Sequence, residues 1–232
     1  KDIDFITLTY KDNEALDKNT IMEIESHINN KAWWQVYGLG QLGVLEGRIF
    51  KDWIPMSDIP REARLVRYGL DFGYSNDPTA IDAIYRWNNS FILDEVMYLK
   101  GISNKQIADT FLNMSRALII ADCAEPKSID ELKSYGLNVI GSQKGTDSVR
   151  QGIQYVQDQK IFVTSKSLNL LKEYRNYLWM TDKDGQIINE PSPIWNHHMD
   201  AIRYGLESLK ASAPALPPTN FGGVKQFYPG IG

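Results

Sequence analysis

The chain has 232 residues, of which 43% are apolar and 23% charged. That is enough apolar material for one globular domain of ordinary size and an additional segment. A single cysteine, Cys123, excludes an internal disulfide framework and a zinc site built from thiolates. We find no apolar run long enough to span a bilayer and no targeting run at the start, so we expect a cytoplasmic protein.

The charge balance does not by itself predict binding to nucleic acid, because the net charge is −4 and the pI is near 5.5. The charges are unevenly distributed, however. Residues 127–175 contain eight Lys or Arg and five Asp or Glu. This modest basic segment is typical of an ordinary solvated surface or of a face that meets an anionic partner.

Residues 1–64 differ in pattern from the rest of the chain. A short alternating strand is followed by a helix that carries Ile21, Ile24 and Ile28 on one face. A stretch rich in Trp and Gly comes next and ends at Trp53. We interpret residues 1–64 as a linker or arm that packs on a neighbouring core.

Strands and helices alternate from residue 65 to residue 210. The predicted strands are 66–71, 79–87, 91–99, 117–121, 137–140 and 161–163, and the predicted helices are 104–114, 126–135, 147–159, 168–179 and 193–209. A hairpin is predicted over 180–188. Three antiparallel strands followed by a crossover to further strands predict an α/β, RNase H-like mixed sheet, with three antiparallel strands plus parallel strands and helices on both faces. Residues 211–232, rich in Gly and Pro, predict an irregular tail.

Acidic residues mark one edge of this predicted sheet. Asp71 ends the first strand, and Asp122 ends a strand that should lie beside it in parallel. His197 and Asp200 are i, i+3 neighbours near the start of the last helix, so they share a face at the border of its apolar stripe. We therefore expect all four side chains at one sheet edge.

Three carboxylates in this arrangement are what a phosphodiesterase with two metal ions requires. Oxygen ligands favour Mg²⁺ or Mn²⁺, and an imidazole from His197 shifts the preference toward Mn²⁺. A strand-terminal Asp taken alone is more often a turn cap, and His197 taken alone is equally well explained as a hydrogen-bonding residue at a helix start. Their combination at one edge is what predicts a metal site.

Six further residues are secondary candidates. Asp77, Asp82 and Glu125 are candidates for hydrogen bonds to the metal ligands or to a metal-bound water, although Asp77 also suits a turn and Glu125 a helix start. Lys144, Arg150 and Lys183 are candidates for contacting DNA phosphates.

Four blocks of sequence carry a resemblance to a known family. They are LDFGYSNDPTAI, LIIADCAEPKSIDELKSYGLNVIG, QKGTDSVRQGIQYVQ and NHHMDAIRYGL. Together they resemble the C-terminal nuclease domain of the large terminase subunit of tailed bacteriophages, over about residues 5–210. TYKDNEAL and GRIFKDW also resemble the segment that joins the ATPase of that family to its nuclease.

The resemblance implies a metal-dependent endonuclease of RNase H-like fold that cuts concatemeric viral DNA in the host cytoplasm. It implies Asp71, Asp122 and Asp200 as metal ligands for two ions, with His197 beside them. The implied partners are double-stranded DNA, an ATPase domain of the same full-length chain, the small terminase subunit and the portal. No GxxxxGK[ST] motif occurs in the sequence, so we expect no ATPase activity from this chain. The 180–188 hairpin is expected to control access to the site.

Two other classes of function compete with this interpretation. An Asp-x-Gly turn after a first strand, as at Asp71, also begins the actin-like ATPases, but their second phosphate hairpin is not evident here. A non-catalytic RNase H-like scaffold would not need the intact set of acids. Resolvases and transposases share the metal chemistry and differ in the motif blocks.

Overall fold

A seven-stranded mixed sheet forms the centre of the protein. The computed structural model describes residues 9–28, 34, 38–40, 47–143, 145, 147–183 and 185–210. The strands of the sheet are β1 (Ile54–Met56), β2 (Arg64–Asp71), β3 (Thr79–Trp87), β4 (Ser90–Leu99), β5 (Ile119–Ala121), β6 (Val139–Gly141) and β7 (Ile161–Thr164). Their spatial order is β1-β7-β4-β3-β2-β5-β6. Two more strands, β8 (Trp179–Thr181) and β9 (Ile187–Pro191), form a separate hairpin.

The three central strands of the sheet, β2, β3 and β4, form an antiparallel meander, as predicted. β2 pairs with β3 and β3 with β4 in antiparallel register, whereas β5 and β7 join this meander in parallel on its two sides. Tight turns join the antiparallel strands, and helical crossovers are needed for the parallel ones. The RNase H-like class of mixed sheet is therefore confirmed, and β2 lies at the boundary between its antiparallel and parallel parts.

Helices cover both faces of the sheet. After α1 (Lys18–Ser26), which precedes the sheet in the chain, these helices are α2 (Asn104–Leu112), α3 (Pro126–Ser134), α4 (Ser148–Gln157), α5 (Leu168–Asn176) and α6 (His197–Lys210). Side chains of β3 alternate between two apolar clusters, so Ile81 and Ala83 pack with α2 and α3. Ile84 lies in the other cluster, with α4, α5 and α6. No helix within the described ranges combines the length and apolar character needed to cross a membrane.

Residues just before the sheet pack into the second of these clusters. Ile49 and Phe50 are buried, and the Trp53 ring stacks on the Tyr174 ring with centroids 4.6 Å apart. β1 then continues from Trp53 and pairs with β7 at the edge of the sheet. The end of the predicted arm thus shares an apolar core with α5. Residues 1–8 and 211–232 lie outside the described residues.

Several predicted boundaries differ from the structure, most of them by one or two residues. The predicted strand at the start of the chain falls partly outside the described residues, and Thr9 caps a 3₁₀ turn at Tyr10–Asp12 instead. α5 ends at Asn176 rather than 179, because Tyr177 is extended. α6 begins at His197 rather than 193, because Trp195 has a positive φ of 63° that is incompatible with a right-handed helix.

Candidate active site

The fold places Asp71 and Asp122 next to each other. Leu70 of β2 pairs with Ala121 of β5 in parallel register, and the N–H of Asp122 donates to the carbonyl of Leu70 at 3.1 Å. The two acids therefore follow paired residues at the ends of adjacent strands. This is the arrangement predicted from the parallel pairing.

Asp200 reaches the same edge because α6 lies directly on β2. A Cβ at Gly69 would meet the Ala201 carbonyl oxygen at 2.0 Å, so only glycine permits this approach. Gly205, one turn further along α6, lies against Gly69 as well. Two glycines thus allow the helix backbone to approach the strand, and Asp200 precedes the point of contact.

His197 completes the cluster of side chains. Its Nδ1 lies 3.0 Å from Oδ2 of Asp71, and its Nε2 lies 3.8 Å from Oδ1 of Asp77. The Asp71 residue is only 8% exposed, whereas the Asp77 side chain is 69% exposed. Asp77 therefore stands at the solvent side of the imidazole, and Asp71 at its buried side.

Electrostatics show that the three carboxylates interact. Burial raises the pKa of Asp71 to about 7, the hydrogen bond from His197 opposes this rise, and the charges of Asp200 and Asp122 add to it. Burial lowers the pKa of His197, but the hydrogen bond and charge of Asp71 outweigh burial and leave that pKa raised. The site therefore concentrates negative charge at a poorly solvated sheet edge.

Each of the three carboxylates accepts hydrogen bonds from the protein. Asp200 accepts from Nη2 of Arg203 at 2.7 Å and from Nδ2 of Asn196 at 2.9 Å. Asp122 accepts from the N–H of Ala124 at 3.0 Å. In this arrangement, no group of three or more Asp, Glu, His or Cys among the described residues is placed to hold a metal ion.

A family comparison decides what kind of domain carries this cluster. A family model described as the terminase RNase H-like domain matches residues 71–208. The chain belongs to the terminase RNase H-like family. The matched range begins at Asp71 and includes both Asp122 and Asp200.

Relatives in this terminase family support the assignment. The terminase large subunit of Bacillus phage SPP1 is 38% identical over 155 residues, which are 61% of this chain and 36% of that protein. The PBSX phage terminase large subunit of Bacillus subtilis (strain 168) is 28% identical over 155 residues, 64% of this chain and 35% of that protein. The chain spans about a third of the length of these curated relatives.

Solved terminase structures share the fold. The SPP1 large terminase nuclease domain with bound Mn has a TM-score of 0.59 and 30% identity, covering 68% of this chain and 97% of that chain. The large terminase nuclease of thermophilic phage G20c with bound magnesium has a TM-score of 0.52 and 13% identity, covering 70% and 97%. At the lower identity the likeness concerns the fold alone. This chain is homologous to nuclease domains of large terminases.

The donor set of this terminase domain fits a divalent cation. Three carboxylates and one imidazole are oxygen and nitrogen ligands of the kind that Mg²⁺ and Mn²⁺ accept. Burial, with the charges of Asp200 and Asp122 added to it, raises the pKa of Asp71, and a cation would favour its ionised form. Arg203 and Asn196 each donate to one oxygen of Asp200, so a cation would share this carboxylate with them.

The secondary candidates occupy different places in the terminase fold. Asp82 is fully buried and pairs with His198 at 2.9 Å, so it lies behind the cluster. Burial is the main cause that raises the pKa of Asp82 to about 6, although the charge of His198 opposes it. Glu125 is exposed at the start of α3 and accepts a hydrogen bond from Ser128. That Asp82 and Glu125 support the metal ligands remains a prediction.

Two of the three DNA-binding candidates lie on or beside the β8–β9 hairpin. Nε of Arg150, on α4, donates to the carbonyl of Asn189 on β9 at 2.9 Å and so ties the hairpin to α4. Lys183 is exposed in the loop of the β8–β9 hairpin. Lys144 lies outside the described residues.

Sequence reasoning missed two residues that contact the start of α6, the buried Glu173 and the partly buried Tyr98. Glu173 is 1% exposed and accepts the backbone N–H of His198, and Tyr98 donates its hydroxyl to the same carboxylate. The helical spacing of Leu170, Glu173 and Tyr177 places this acid on a buried face. That spacing was the signal that could have identified Glu173.

Proposed function

We propose that this chain is a metal-dependent endonuclease that cuts concatemeric viral DNA during genome packaging, with little sequence specificity. The observation that supports this most directly is the placement of Asp71, Asp122 and Asp200 at one sheet edge, where burial, and to a smaller extent the charges of the other two acids, raise the pKa of Asp71. The SPP1 large terminase nuclease domain, solved with bound Mn, supports the same chemistry.

In this proposal Asp71, Asp122, Asp200 and His197 hold two divalent ions, Mg²⁺ or Mn²⁺. When bound, such ions stabilise the charge that develops on the phosphate and assist ionisation of the attacking water. The protein contributes the orientation of the ligands. β2 and β5 fix Asp71 and Asp122 through the strand ladder, and the contact of α6 with Gly69 fixes Asp200.

His197 has a second part in the proposal. Its Nδ1 hydrogen bond with Asp71 fixes the ring, and its Nε2 points toward Asp77 near the solvent side. A ring held in this way can bind a metal through only one nitrogen at a time, so metal binding would exchange one of these contacts. Asp77 would then hydrogen-bond to a metal-bound water or to the imidazole ring from the solvent side.

The wider partners follow from the family. Because the chain spans about a third of its curated relatives, we propose that an ATPase domain belongs to the full-length chain, with the small subunit and portal as further partners. Double-stranded DNA is the proposed substrate. The end of the molecule with Arg150 and Lys183 would contact its phosphates.

The test is a plasmid-cleavage assay with EDTA, Mg²⁺ or Mn²⁺. Wild type should cut with metal and not with EDTA, and Asp71→Asn and Asp200→Asn should each lose cutting while remaining folded. Asp109→Asn, which removes an exposed carboxylate on α2 paired with Lys105, is the matched control and should cut like wild type.

Full activity of Asp71→Asn, with contaminating nuclease excluded, would contradict the site. Absence of cutting by folded wild type in either metal would instead favour the scaffold interpretation for this chain in isolation.

A further inference from the structure

Glu173, Tyr98 and His198 form a triangle of two hydrogen bonds and one ring-stacking contact behind the cluster of acids. Oε2 of Glu173, on α5, accepts the backbone N–H of His198 at 2.6 Å, and Oε1 accepts the hydroxyl of Tyr98 at 2.8 Å. The Tyr98 ring, from β4, stacks on the His198 imidazole with centroids 4.8 Å apart and planes 16° apart. The triangle thus joins β4, α5 and the first turn of α6.

The contact between Glu173 and His198 satisfies a group that the helix itself cannot satisfy. The first N–H groups of any helix lack an acceptor within the helix, and His198 is the second residue of α6. A carboxylate at this end is also favoured by the helix dipole, and charge-assisted hydrogen bonds are stronger than neutral ones. Glu173 therefore acts as a cap for α6 that comes from another helix.

The backbone that leads into α6 is strained, so it has to be held by its surroundings. Trp195 has a φ of 63°, which a residue with a side chain adopts at a cost. Nζ of Lys172 lies 4.6 Å from the centroid of the Trp195 indole ring. Two adjacent residues of α5, Lys172 and Glu173, therefore hold the loop and the helix start.

A second contact fixes the side chain of His198. Its Nδ1 lies 2.9 Å from Oδ2 of Asp82, and both residues are fully buried. His198 is thus held at its backbone by α5 and at its ring by β3 and β4. His197, which precedes His198, and Asp200, two residues after it, belong to the candidate site.

We infer that Glu173 is a positioning residue: through the N–H of His198 it sets where the first turn of α6 presents His197 and Asp200. The catalytic part of this inference rests on the proposed nuclease function. Its structural part, the capture of the helix start by Glu173, does not depend on that function.

Two substitutions separate the hydrogen bonds of Glu173 from its volume. Glu173→Gln keeps an oxygen for the His198 N–H, and its amide group can donate to the Tyr98 oxygen once the hydroxyl rotates. Glu173→Met keeps the length of the side chain but offers only a weak acceptor. Leu171→Ala, at a buried residue of the same helix, is the control for a general loss of stability.

The first measurement is steady-state DNA cleavage with saturating metal. Glu173→Met should lower kcat by roughly tenfold or more with little change in KM, since a displacement of about 1 Å in catalytic groups can cost two orders of magnitude. Glu173→Gln should restore a rate close to wild type. Leu171→Ala should keep kcat at temperatures where it remains folded.

The second measurement is amide hydrogen exchange by NMR, which needs no activity. The His198 amide should exchange slowly in wild type and Glu173→Gln, and fast in Glu173→Met, while the amides of Ile202 and Leu206 stay protected. If Glu173→Met does not fold, Tyr98→Phe removes one donor and should give a smaller change of the same kind in both measurements.

The outcomes distinguish the two claims. Loss of His198 protection together with loss of kcat supports the inference. Loss of protection with unchanged kcat overturns the positioning role but leaves the nuclease proposal intact, and an equal fall of kcat in Leu171→Ala reduces the effect to stability. Wild type that cuts in no metal overturns the nuclease and the catalytic part together, and hydrogen exchange then still decides whether Glu173 holds the helix start.

Discussion

Asp71 has the most perturbed carboxyl group among the proposed ligands, and its protonation is coupled to folding. Its pKa is about 7 in the folded chain, against about 3.9 for an unfolded Asp. At a pH between these two pKa values, Asp71 keeps a proton in the folded chain that it has released in the unfolded chain. The free energy of unfolding therefore falls as the pH rises through this window. The raised pKa of His197 acts in the same direction, because the folded chain also retains that proton longer.

Asp71→Asn should consequently stabilise the metal-free protein while abolishing cleavage. An amide cannot ionise, so we expect a gain on the order of 2 kcal/mol at pH 8 in EDTA, with a flatter pH dependence between about 4 and 7. Urea unfolding at several pH values measures both effects. Asp77→Asn, at an exposed carboxylate, is the control and should change neither. Equal stability of Asp71→Asn and wild type at pH 8 would show that burial and neighbouring charge do not raise the pKa of Asp71.

The contact between α6 and β2 is the element-scale feature on which the site depends. Gly69 faces the Ala201 backbone, whereas a Cβ at Gly205 would meet the flexible end of Ile84, Cδ1, at 2.3 Å. The end of the Ile84 side chain can move aside, but the backbone at Ala201 cannot move without displacing the neighbouring residues of α6. Asp200 is one of those neighbours.

Gly69→Ala and Gly205→Ala should therefore differ, although both add a single methyl group. Gly69→Ala should cost roughly 1–3 kcal/mol or more by overpacking and should also lower cleavage, because α6 is displaced from the strand. Gly205→Ala should be milder, since alanine regains up to about 1 kcal/mol of helix propensity. Denaturant unfolding combined with the plasmid assay distinguishes them. A Gly69→Ala protein with unchanged stability would contradict the close contact.

At the scale of the whole molecule, the charge distribution limits how DNA is bound. The net charge is −4, so attraction to phosphates has to come from local groups such as the exposed Lys183. We expect weak, salt-sensitive binding and similar cleavage of unrelated sequences. The logarithm of the binding constant should fall linearly with the logarithm of the salt concentration, by about 0.9 per phosphate contact. We expect few such contacts.

Lys183→Ala should lower the magnitude of this slope by about one. Lys105→Ala, on α2, should leave it unchanged, because Lys105 is already paired with Asp109. Filter binding at several salt concentrations measures the slope, and footprinting tests sequence preference. A strict recognition sequence would contradict non-specific contact with the backbone.

Local patterns were sufficient for the strands and for the meeting of the acids. The predicted bounds of β3 are those observed, because alternation and turn residues define that strand locally. The parallel neighbours Asp71 and Asp122 followed from strand order alone. The start of α6 could not be predicted, since the φ of Trp195 depends on contacts with another helix.

Glu173 shows the same limit more clearly. Its two hydrogen-bond partners lie 75 and 25 positions away in the chain, so no short window contains them. Sequence periodicity could place this acid on a buried face, but only the three-dimensional structure supplies the donors that make burial tolerable.

The position of α6 has a consequence for synthesis on the ribosome. More than half of the 232 residues separate Asp71 from Asp200, and α6 docks on a strand made much earlier. A nascent chain that has released β2 through β7 still lacks one of the three acids. In the proposed nuclease, partial translation products that lack α6 would therefore be unable to cut the nucleic acids that they meet during synthesis.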